Sequence, residues 1–354
     1  MPADSKNLKK YEQEMNTCIR CAYCFEGCPV IRERRWDSNG ARGKVALSYG
    51  LLSGDLEASK SIADKLFQCT LCKDCMSKCP SGVKINEIVT AARADLVEKG
   101  FANDTHRLII NNIKETGNIY GDKDVMAPIQ DGETPVFVGC QYMSRPNKTK
   151  KYIKLLEKLG MNVRVTKEIC CGFPMEVTGF RKDFEEYKDK FVKTYPYKTA
   201  ITFCPTCTVF LREGHGIDAK HVLQVILEKI PEGKLNMKAT FHDSCDFTRT
   251  LKIMDEPRAI LKKLGVEIVE MANSKGNSGC CGGGGGILMS DSPLSDDIAL
   301  NRIRQAIATG ADTVITTCPT CETVLKKAAA KIKELEGKDI VVRSIEDVIW
   351  KGVA

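Results

Sequence analysis

The side chains in this sequence that are best suited to chemistry are its cysteines, which number 18 among 354 residues. The first eight form two copies of one spacing, C-x2-C-x2-C-x3-C-P, whose starts lie 51 residues apart. A thiolate binds soft or borderline metals such as iron and zinc, so a repeated set of four indicates metal binding. The first copy contains Cys18, Cys21, Cys24 and Cys28, and the second contains Cys69, Cys72, Cys75 and Cys79.

The even steps of this spacing favour iron–sulfur clusters over zinc. In the bacterial ferredoxin spacing, three thiolates hold one 4Fe–4S cube while the fourth reaches the other cube. Zinc prefers four ligands arranged as two C-x2-C pairs, which is the alternative interpretation. We therefore predict two cubane clusters, one on Cys18, Cys21, Cys24 and Cys79, and the other on Cys69, Cys72, Cys75 and Cys28.

The other ten cysteines form a second duplication. Each copy has one cysteine, then an adjacent pair, then a C-P-T-C segment. Five thiolates exceed the four that zinc or a cubane cluster needs. Two plainer interpretations are a disulfide within each adjacent pair and a zinc site on each C-P-T-C pair, with the remaining cysteines buried. The first copy is Cys140, Cys170, Cys171, Cys204 and Cys207, and the second is Cys245, Cys280, Cys281, Cys318 and Cys321.

The hydrophobic pattern around these cysteines alternates between short apolar runs and amphipathic segments. Such alternation predicts two α/β units with mainly parallel sheets, a fold that places its sites at strand ends. Ser295 is predicted to cap a helix that ends before Gly310. The predicted strands are 134–139, 161–166, 199–203, 239–242, 266–270 and 312–317, and the predicted helices include 44–66, 84–100, 147–160 and 257–265.

The complete pattern resembles that of heterodisulfide reductase catalytic subunits of the D type, in which a ferredoxin module precedes two cysteine-rich CCG domains. The resemblance covers nearly the whole chain and all its cysteines. It implies an α+β multidomain fold, with a helical two-cluster ferredoxin-like domain followed by two pseudo-symmetric α/β CCG domains with mainly parallel sheets. The predicted boundaries are 1–116 for the helical domain, 117–134 for a linker, 135–235 for the first CCG domain and 236–354 for the second.

The resemblance also implies the cofactors and the reaction. Each five-cysteine set would hold one non-cubane 4Fe–4S cluster, and the two clusters would cleave a disulfide reductively by capturing one sulfur each. The two cubane clusters would supply electrons singly. The substrate would be a disulfide of two thiol coenzymes, such as coenzyme M and coenzyme B, which places the expected enzyme among the oxidoreductases that act on sulfur groups.

Glycines follow both adjacent pairs, and Gly172, Gly282 and Gly283 are the expected cofactor-binding ones. In the run SGCCGGGGG, residues 278–286, the glycines would adopt positive φ and aim bare N–H groups at cluster sulfur. They would also keep side chains away from the approaching substrate. The first copy, ICCGFPMEV, has only one such glycine, so the second set is the expected entrance for substrate.

Three residues near the second set are predicted to be catalytic: His242, Asp246 and Arg249. In the family a histidine commonly follows the first cysteine of this set, and Asp246 stands at that position here. His242 could supply the proton instead, although a histidine at a strand end is often structural. Arg249, like Arg145 in the first copy, could bind an anionic group of the substrate.

The alternative function is electron transfer alone, as in CCG subunits of lactate, glycolate or glycerol-3-phosphate dehydrogenases or of complexes linked to quinone or a sulfur carrier. Either function requires a redox partner subunit in a hetero-oligomeric complex, because the sequence has no flavin or nicotinamide motif. The expected partner is a flavoprotein, a cytochrome b or a ferredoxin-type donor.

Charge and hydropathy exclude other classes of partner. The net charge of +7 is spread along the chain without a nucleic-acid-binding signature. No apolar run approaches the about 20 residues of a membrane-spanning helix, and the N-terminus is not of the secretory type. We therefore predict a cytosolic protein that binds no nucleic acid and would meet a membrane only through a partner.

Overall fold

The structure, a computed structural model, describes residues 5–353. The N-terminal part is built from helices, as the sequence predicts. Its 3-10 turns are Tyr23–Phe25 and Asp37–Asn39. Its α-helices are α1 (Lys6–Lys9), α2 (Glu12–Asn16), α3 (Pro29–Arg34), α4 (Ala41–Ser53), α5 (Lys60–Phe67), α6 (Asp74–Ser77), α7 (Ile85–Glu98) and α8 (Asp104–Thr116).

A four-stranded parallel sheet follows, in the spatial order β2-β1-β3-β4. Its strands are β1 (Thr134–Phe137), β2 (Val163–Arg164), β3 (Thr199–Thr202) and β4 (Asp218–His221). The helices of this region are α9 (Cys140–Met143), α10 (Pro146–Lys158), α11 (Phe173–Val177), α12 (Arg181–Thr194), α13 (Pro205–His215) and α14 (Val222–Ile226), with a 3-10 turn at Leu227–Lys229.

A second four-stranded parallel sheet repeats the first, in the order β6-β5-β7-β8. Its strands are β5 (Met237–His242), β6 (Val266–Ile268), β7 (Thr313–Thr316) and β8 (Val341–Ser344). The helices are α15 (Glu256–Lys263), α16 (Ile287–Ser290), α17 (Ser292–Ile307), α18 (Pro319–Glu336) and α19 (Ile345–Val353), with a π-helical turn at Asp246–Thr250 and a 3-10 turn at Lys275–Asn277. The identical strand order confirms the internal duplication and the predicted α/β class.

Two helix predictions need correction. The segment 44–66 is not one helix, because Gly54 adopts a left-handed conformation with φ of 84° and ends α4 before α5 begins. Ser295 does not cap a helix, because α17 begins three residues earlier and contains it. The Asp291 carboxylate accepts a hydrogen bond of 3.1 Å from the Leu294 N–H and performs the capping instead.

The outer strands β4 and β8 were missing from the sequence prediction. In β4 the buried residues alternate with exposed ones, and β8 is only half buried. Edge strands of this kind have a weaker apolar signal than the inner strands β3 and β7, whose residues are almost all buried.

By its internal packing the chain divides into two compact units, each assembled from three segments. The smaller unit comprises the described residues up to Ile110, Pro174–Glu185 and Gly279–Ala299. The larger unit comprises Asn111–Phe173, Glu186–Ser278 and the described residues from Leu300 onward. Both sheets belong to the larger unit, whereas Cys280 and Cys281 belong to the smaller unit together with the ferredoxin-type motifs. The domain boundaries drawn from the sequence stay a prediction.

Each unit has its own apolar core. In the larger unit, Phe137 of β1 packs edge-on against Tyr195, with 5.2 Å between ring centroids. In the smaller unit, Val30, Ile287, Leu294 and Ile298 form a buried cluster against which Cys28 and Cys280 pack. None of the helices within residues 5–353 combines the length and the apolar character that crossing a membrane would require.

Candidate metal centres

The first predicted cubane set is gathered around one cavity of the smaller unit. Cys18, Cys21, Cys24 and Cys79 all line it, together with Arg42 and several apolar side chains. Burial raises the pKa of the Cys24 thiol to about 11. The Val83 N–H donates a hydrogen bond of 3.4 Å to the Cys79 sulfur. Four thiols around one cavity, one of them remote in sequence, match the donor set of a 4Fe–4S cube.

Both ferredoxin-type motifs use the same unusual backbone. Arg20 and Ala22 have φ of 58° and 64°, and their counterparts Leu71 and Lys73 have φ of 53° and 64°. Left-handed residues are uncommon outside glycine, and they bend the chain so that successive N–H groups face inward. The repeat of this strain at equivalent positions indicates that both loops are shaped around a bound group.

The second predicted cubane set is more deeply buried. Burial raises the pKa of Cys28 to about 11, and the nearby Cys72 and Cys69 raise it further. Burial also raises the pKa of Cys75 well above its usual value, with Cys72, Cys69 and Cys28 adding to the effect. The structure therefore brings these four thiols into one electrostatic group. Thiols that resist ionisation in the protein alone are stabilised as thiolates by iron.

Sequence analysis missed a buried cation beside this second set. Lys44 is 1% exposed, and burial lowers the pKa of its ammonium, while Cys69 and Cys28 counteract that effect. Its Nζ donates to the Asn39 carbonyl oxygen. In the sequence Lys44 is one charged residue in a helix, and no local signal distinguishes it from an exposed lysine.

The first five-cysteine set forms a continuous network of thiols within the larger unit. Cys170 hydrogen-bonds with Cys140 and Cys171, and Cys207 hydrogen-bonds with Cys171 and Cys204. Hydrogen bonds from Cys170 and Cys207 hold the pKa of Cys171 well below its usual range. All five thiols predicted from the sequence are therefore in mutual reach, at the ends of β1 and β3 and in the loop before α11.

Residues from three further elements hold the adjacent pair Cys170–Cys171. The Tyr187 hydroxyl donates 2.9 Å to the Cys170 carbonyl oxygen, and the Cys170 N–H donates 2.6 Å to the Gly117 carbonyl oxygen. His215 donates through Nε2 to the Cys171 carbonyl oxygen at 2.7 Å and stacks on Phe191. A carbonyl can only accept, so the Nε2–H tautomer of His215 is fixed.

A buried carboxyl group supports the turn that carries Cys140. Glu168 accepts hydrogen bonds from the N–H groups of Val138 at 3.0 Å and Gly139 at 2.6 Å. Burial nevertheless raises the pKa of Glu168 to about 8. Glu168 thereby joins the end of β1 to the segment of the cysteine pair. Sequence analysis did not single out Glu168 or Tyr187, because each is ordinary in its local sequence.

The second five-cysteine set is shared by the two units: Cys245, Cys318 and Cys321 belong to the larger, and Cys280 and Cys281 to the smaller. In the larger unit, a ring nitrogen of His242 lies within 4.8 Å of the Cys321 sulfur. Arg302 is 2% exposed and donates from Nε to His242 Nδ1 at 3.0 Å. Because Arg302 can only donate, the hydrogen of the neutral imidazole sits on Nε2.

His242 is buried and unsatisfied on one side. Its Nε2 has no hydrogen-bond partner among residues 5–353, and the side chain is 1% exposed. Burial and the Arg302 charge lower its pKa to about 3. An N–H donor left unpaired in an interior is costly unless a bound group accepts from it. Beside Cys321, sulfur of an iron–sulfur cluster is a suitable acceptor.

Asp246 and Arg249 make structural contacts within the larger unit. Asp246 accepts a hydrogen bond of 2.7 Å from Thr206, which precedes Cys207. Arg249 is 8% exposed and donates to the carbonyl oxygens of Gly276 and Ser278, at 3.0 and 2.5 Å. These contacts tie the π-helical turn after Cys245 to neighbouring cysteine-bearing segments. Arg145 ion-pairs with the buried Glu322 at 3.0 Å.

The glycines next to the adjacent pairs have the predicted backbone. Gly172 and Gly282 have φ of 86° and 91°, as do Gly285 and Gly286 with 62° and 86°. The Gly282 N–H donates 3.3 Å to the Cys280 sulfur, and the Gly283 N–H donates 3.4 Å to the Cys281 sulfur. N–H groups aimed at sulfur stabilise the thiolate and, when bound, a cluster.

The proposed role of the later glycines in clearing an approach for substrate is wrong. A Cβ on Gly284 would lie 2.5 Å from the Thr70 carbonyl oxygen, and one on Gly285 would overlap the Cys69 carbonyl oxygen. A Cβ on Gly286 would lie 2.5 Å from His106 Nε2. Within the smaller unit these glycines are needed because the backbone packs directly on the second ferredoxin-type motif.

Known protein families match the same segments of the chain. The model of the cysteine-rich domain CCG matches residues 135–212 and 239–326, and that of the 4Fe-4S dicluster domain matches residues 14–83. The crystal structure of a hypothetical protein from Helicobacter pylori aligns with 99% of this chain and 72% of its own, with a TM-score of 0.61 and 9% identity. That likeness supports the fold alone.

Several relatives are named redox proteins. The D-type polypeptide of dihydromethanophenazine:CoB–CoM heterodisulfide reductase from Methanosarcina mazei is 27% identical, over 98% of this chain and 96% of that protein. The B-type polypeptide of fumarate reductase (CoM/CoB) from Methanothermobacter marburgensis is 27% identical, over 93% and 70%. EtfAB:quinone oxidoreductase of Syntrophomonas wolfei is 24% identical, over 96% and 58%.

The fold and the cysteine sets therefore define an iron–sulfur oxidoreductase. The chain belongs to the heterodisulfide reductase D-type family, in which a 4Fe-4S dicluster module precedes two cysteine-rich CCG domains. The family assignment agrees with the prediction from the cysteine pattern. Its named relatives are subunits of larger reductase complexes, so a partner subunit is expected for this chain too.

Proposed function

We propose that the protein reduces a small disulfide, of the kind formed between coenzyme M and coenzyme B, at two non-cubane 4Fe–4S clusters held by the five-cysteine sets. One observation carries the proposal: both sets are complete, and the five thiols of the first form one network in a single fold unit. The heterodisulfide reductase relative from Methanosarcina mazei aligns over 98% of the chain. A protein that only passed electrons would not require five thiols in each set.

The reaction consumes two electrons and two protons and yields two thiols from one disulfide. When bound, the two clusters would supply iron sites for the separating sulfurs and deliver electrons one at a time. The chain contributes the spacing of the thiolates, N–H donors such as those of Gly282 and Gly283, and an interior from which water is largely excluded. Electrons would reach this site from two cubane clusters in the N-terminal module.

His242 is proposed as the hydrogen-bond donor at the second set. Arg302 fixes the tautomer that presents Nε2–H, and that hydrogen has no acceptor among residues 5–353. Donation to sulfur stabilises negative charge as it develops there. Because the imidazole of His242 has a pKa of about 3, the group acts at neutral pH as a donor in the neutral form.

Asp246 and Arg249 are proposed to position the second set. Asp246 accepts from Thr206, and Arg249 is bonded to two backbone carbonyl oxygens. Both lie on the turn that follows Cys245, so either one can orient that ligand. Their contacts within the protein favour this role over binding of an anionic substrate group.

The electron donor is proposed to be a partner subunit that carries a flavin, a b-type haem or a ferredoxin-type cluster. Cys21 of the first cubane set is exposed, whereas Cys72 and Cys75 of the second are buried. An exposed cluster is accessible to an external donor, so the first cubane set is the proposed site of electron input.

A disulfide-reduction assay tests this function. The anaerobically purified, iron-loaded protein is mixed with a reduced viologen dye and the coenzyme M–coenzyme B disulfide. We expect dye oxidation and the release of two thiols per two electrons, with slower reduction of cystine as a specificity control. Cys171→Ser and Cys281→Ser should each lower the rate at least about tenfold. Dye oxidation that needs quinone and ignores every disulfide would contradict the proposal.

The second candidate function is an electron relay. It is favoured by the relative named EtfAB:quinone oxidoreductase, which aligns over 96% of this chain. In that case the five-cysteine sets would pass electrons onward and bind no sulfur substrate. The assay separates the two functions, because only a reductase releases thiols in proportion to the dye consumed.

A further inference from the structure

Arg93 is the most buried cation of the smaller unit and lies in the middle of α7, with an exposure of 0%. A guanidinium group has five N–H donors in a planar fork. All five are used, and every acceptor is a backbone carbonyl oxygen. The acceptors are Leu66 at 3.1 Å, Phe67 at 3.1 Å, Cys69 at 2.9 Å, Val177 at 2.7 Å and Gly285 at 2.8 Å.

These acceptors come from all three segments that build the smaller unit. Leu66, Phe67 and Cys69 lead into the second ferredoxin-type motif. Val177 belongs to α11, and Gly285 belongs to the glycine run after Cys280–Cys281. A single side chain therefore fixes the Cys69 loop and the glycine run against each other.

Other contacts at this junction have the same effect. His106 donates through Nε2 to the Gly286 carbonyl oxygen at 3.0 Å, and its ring packs on Phe67. Cys28 and Cys280 pack on the same apolar cluster. The Cys280 thiol also hydrogen-bonds with the Cys72 thiol, so the two predicted ligand sets are in direct contact here.

The charge of Arg93 has an unusual surrounding. Its fork is filled by carbonyl oxygens, so no carboxylate neutralises it through these bonds. A buried cation without a paired acid is expensive, and nearby negative charge offsets the cost. Iron–sulfur clusters with thiolate ligands are such negative charges. Cys69 already raises the pKa of Arg93, which burial lowers to about 10.

We propose that Arg93 is a positioning residue for electron transfer between the cluster of Cys28, Cys69, Cys72 and Cys75 and the cluster to which Cys280 and Cys281 contribute. One electron leaves the first cluster, which is oxidised, and reduces the second, with no bond made or broken. Arg93 itself takes no electron: it holds the donor loop and the acceptor loop in register. The inference rests on the proposed function only for the identity of the two clusters.

The same geometry fixes an order of reduction. The Cys170–Cys171 pair has its contacts with Tyr187, Gly117 and His215 within the larger unit. The Cys280–Cys281 pair has its contacts on the ferredoxin-type motif within the smaller unit. Electrons therefore reach the second five-cysteine set before the first.

The test compares Arg93→Lys and Arg93→Gln with the control Arg181→Lys in the full-length, iron-loaded protein. Arg181 is a matched control, because it also joins segments of the smaller unit, through Glu176, Asn7 and Thr90, away from the cysteines. Iron per chain is measured first. The cubane clusters are then reduced with a light flash, and rapid-freeze EPR follows the arrival of the electron at each five-cysteine set, without any disulfide present.

We expect Arg93→Lys to retain its iron and to slow the step to the second set at least about tenfold, since a loosened fork misplaces the two loops. Arg181→Lys should stay within about twofold of the unaltered protein. Arg93→Gln should in addition lower the reduction potential of the Cys69 cluster, because a positive charge that favours the reduced form is lost. An unchanged rate in Arg93→Lys would overturn the proposal, and so would loss of the cubane iron in that variant.

The unaltered protein provides a second measurement that does not depend on variant folding. Signals of the two five-cysteine sets are assigned with Cys171→Ser and Cys281→Ser, and their order of appearance after the flash is recorded. Arrival at the Cys280–Cys281 set first supports the inference, and arrival at the Cys170–Cys171 set first overturns it. Failure of the disulfide assay with this order intact would refute the proposed function alone.

Discussion

The two adjacent cysteine pairs have the same position in the duplicated sequence and different surroundings in the structure. Side chains of the larger unit hold Cys170–Cys171, chiefly through the Tyr187 hydroxyl and the His215 imidazole. Cys280–Cys281 is held by glycine backbone that packs on the Cys69–Thr70 carbonyl groups of the smaller unit. The duplicated halves share their ligands but differ in what surrounds them, since the first pair is enclosed and the second is docked onto the electron source.

A histidine accompanies each pair. His215 donates to the Cys171 carbonyl oxygen, and His106 donates to the Gly286 carbonyl oxygen. Both are neutral Nε2–H tautomers held by a carbonyl acceptor. The similarity shows that a cysteine-bearing loop without regular structure needs donors for its exposed carbonyl groups, wherever in the fold these donors come from.

The largest expected effect breaks the docking of the second pair. Gly285→Ala introduces a Cβ that overlaps the Cys69 carbonyl oxygen at a residue with φ of 62°. We expect a loss in free energy of unfolding of at least about 3 kcal/mol, or failure to retain iron. Anaerobic denaturant unfolding and iron analysis measure this.

Gly310→Ala is the control for that variant. Gly310 has φ of 72°, and a Cβ there would meet no atom within 4 Å. It should cost only the about 1–2 kcal/mol of a left-handed conformation. Equal losses in the two variants would show that the contact of Gly285 with Cys69 does not matter.

The next effect concerns acid. Burial lowers the pKa of His106 to about 4, so below pH about 6.5 the unfolded chain binds more protons than the folded protein. The stabilisation is complete above pH about 6.5 and is lost as the pH falls toward about 4, by up to about 1.4 kcal/mol per pH unit. His106→Gln should flatten this slope, as measured by unfolding at several pH values.

His221→Gln is the comparison for the acid effect. His221 is buried in the first sheet, where burial lowers its pKa to about 3, and it donates to the Phe203 carbonyl oxygen. It should flatten the slope similarly and leave electron transfer to the second set unchanged. A slope that neither variant alters would refute the account of acid sensitivity.

A smaller effect is expected at the first pair. Tyr187→Phe removes the hydroxyl that donates to the Cys170 carbonyl oxygen, at a cost of about 1–2 kcal/mol in unfolding free energy. The EPR signal of the first five-cysteine set should change, whereas that of the second should not. A change confined to the second signal would reverse the assignment of surroundings.

The smallest expected effect is at a contact that the two halves share. Thr206→Val removes the hydrogen bond from Thr206 to Asp246, which should cost about 1 kcal/mol. Disulfide turnover should fall less than in Cys281→Ser, since Asp246 is proposed only to position its turn. Turnover in Thr206→Val as low as in Cys281→Ser would instead make Asp246 a catalytic residue.

The sequence predicts the ligands well because metal binding requires cysteine at fixed steps. The spacing around Cys69 and the repeated C-P-T-C segments indicate clusters without any knowledge of the fold. Strands such as β1 and β3 are also predictable, since they are short apolar runs that end at cysteines. Both kinds of signal are local in the chain.

The contacts between distant segments were not predictable. Arg93 and Gly285 are 192 positions apart, and neither has a local feature that indicates the other. Arg93 in a helix reads as a surface residue, whereas it is fully buried. The run of glycines was correctly read as a place of close approach, but the approaching group is the Cys69–Thr70 backbone and not a substrate.

The central claim is that substrate sulfur binds at the clusters of the five-cysteine sets, and one measurement tests it most directly. Each candidate thiol, including coenzyme M and coenzyme B, is added singly to the oxidised protein, and EPR spectra are recorded. The account predicts a new paramagnetic signal with at least one of these thiols, lost in Cys281→Ser or Cys171→Ser. Spectra that no thiol changes would contradict it and favour the electron relay.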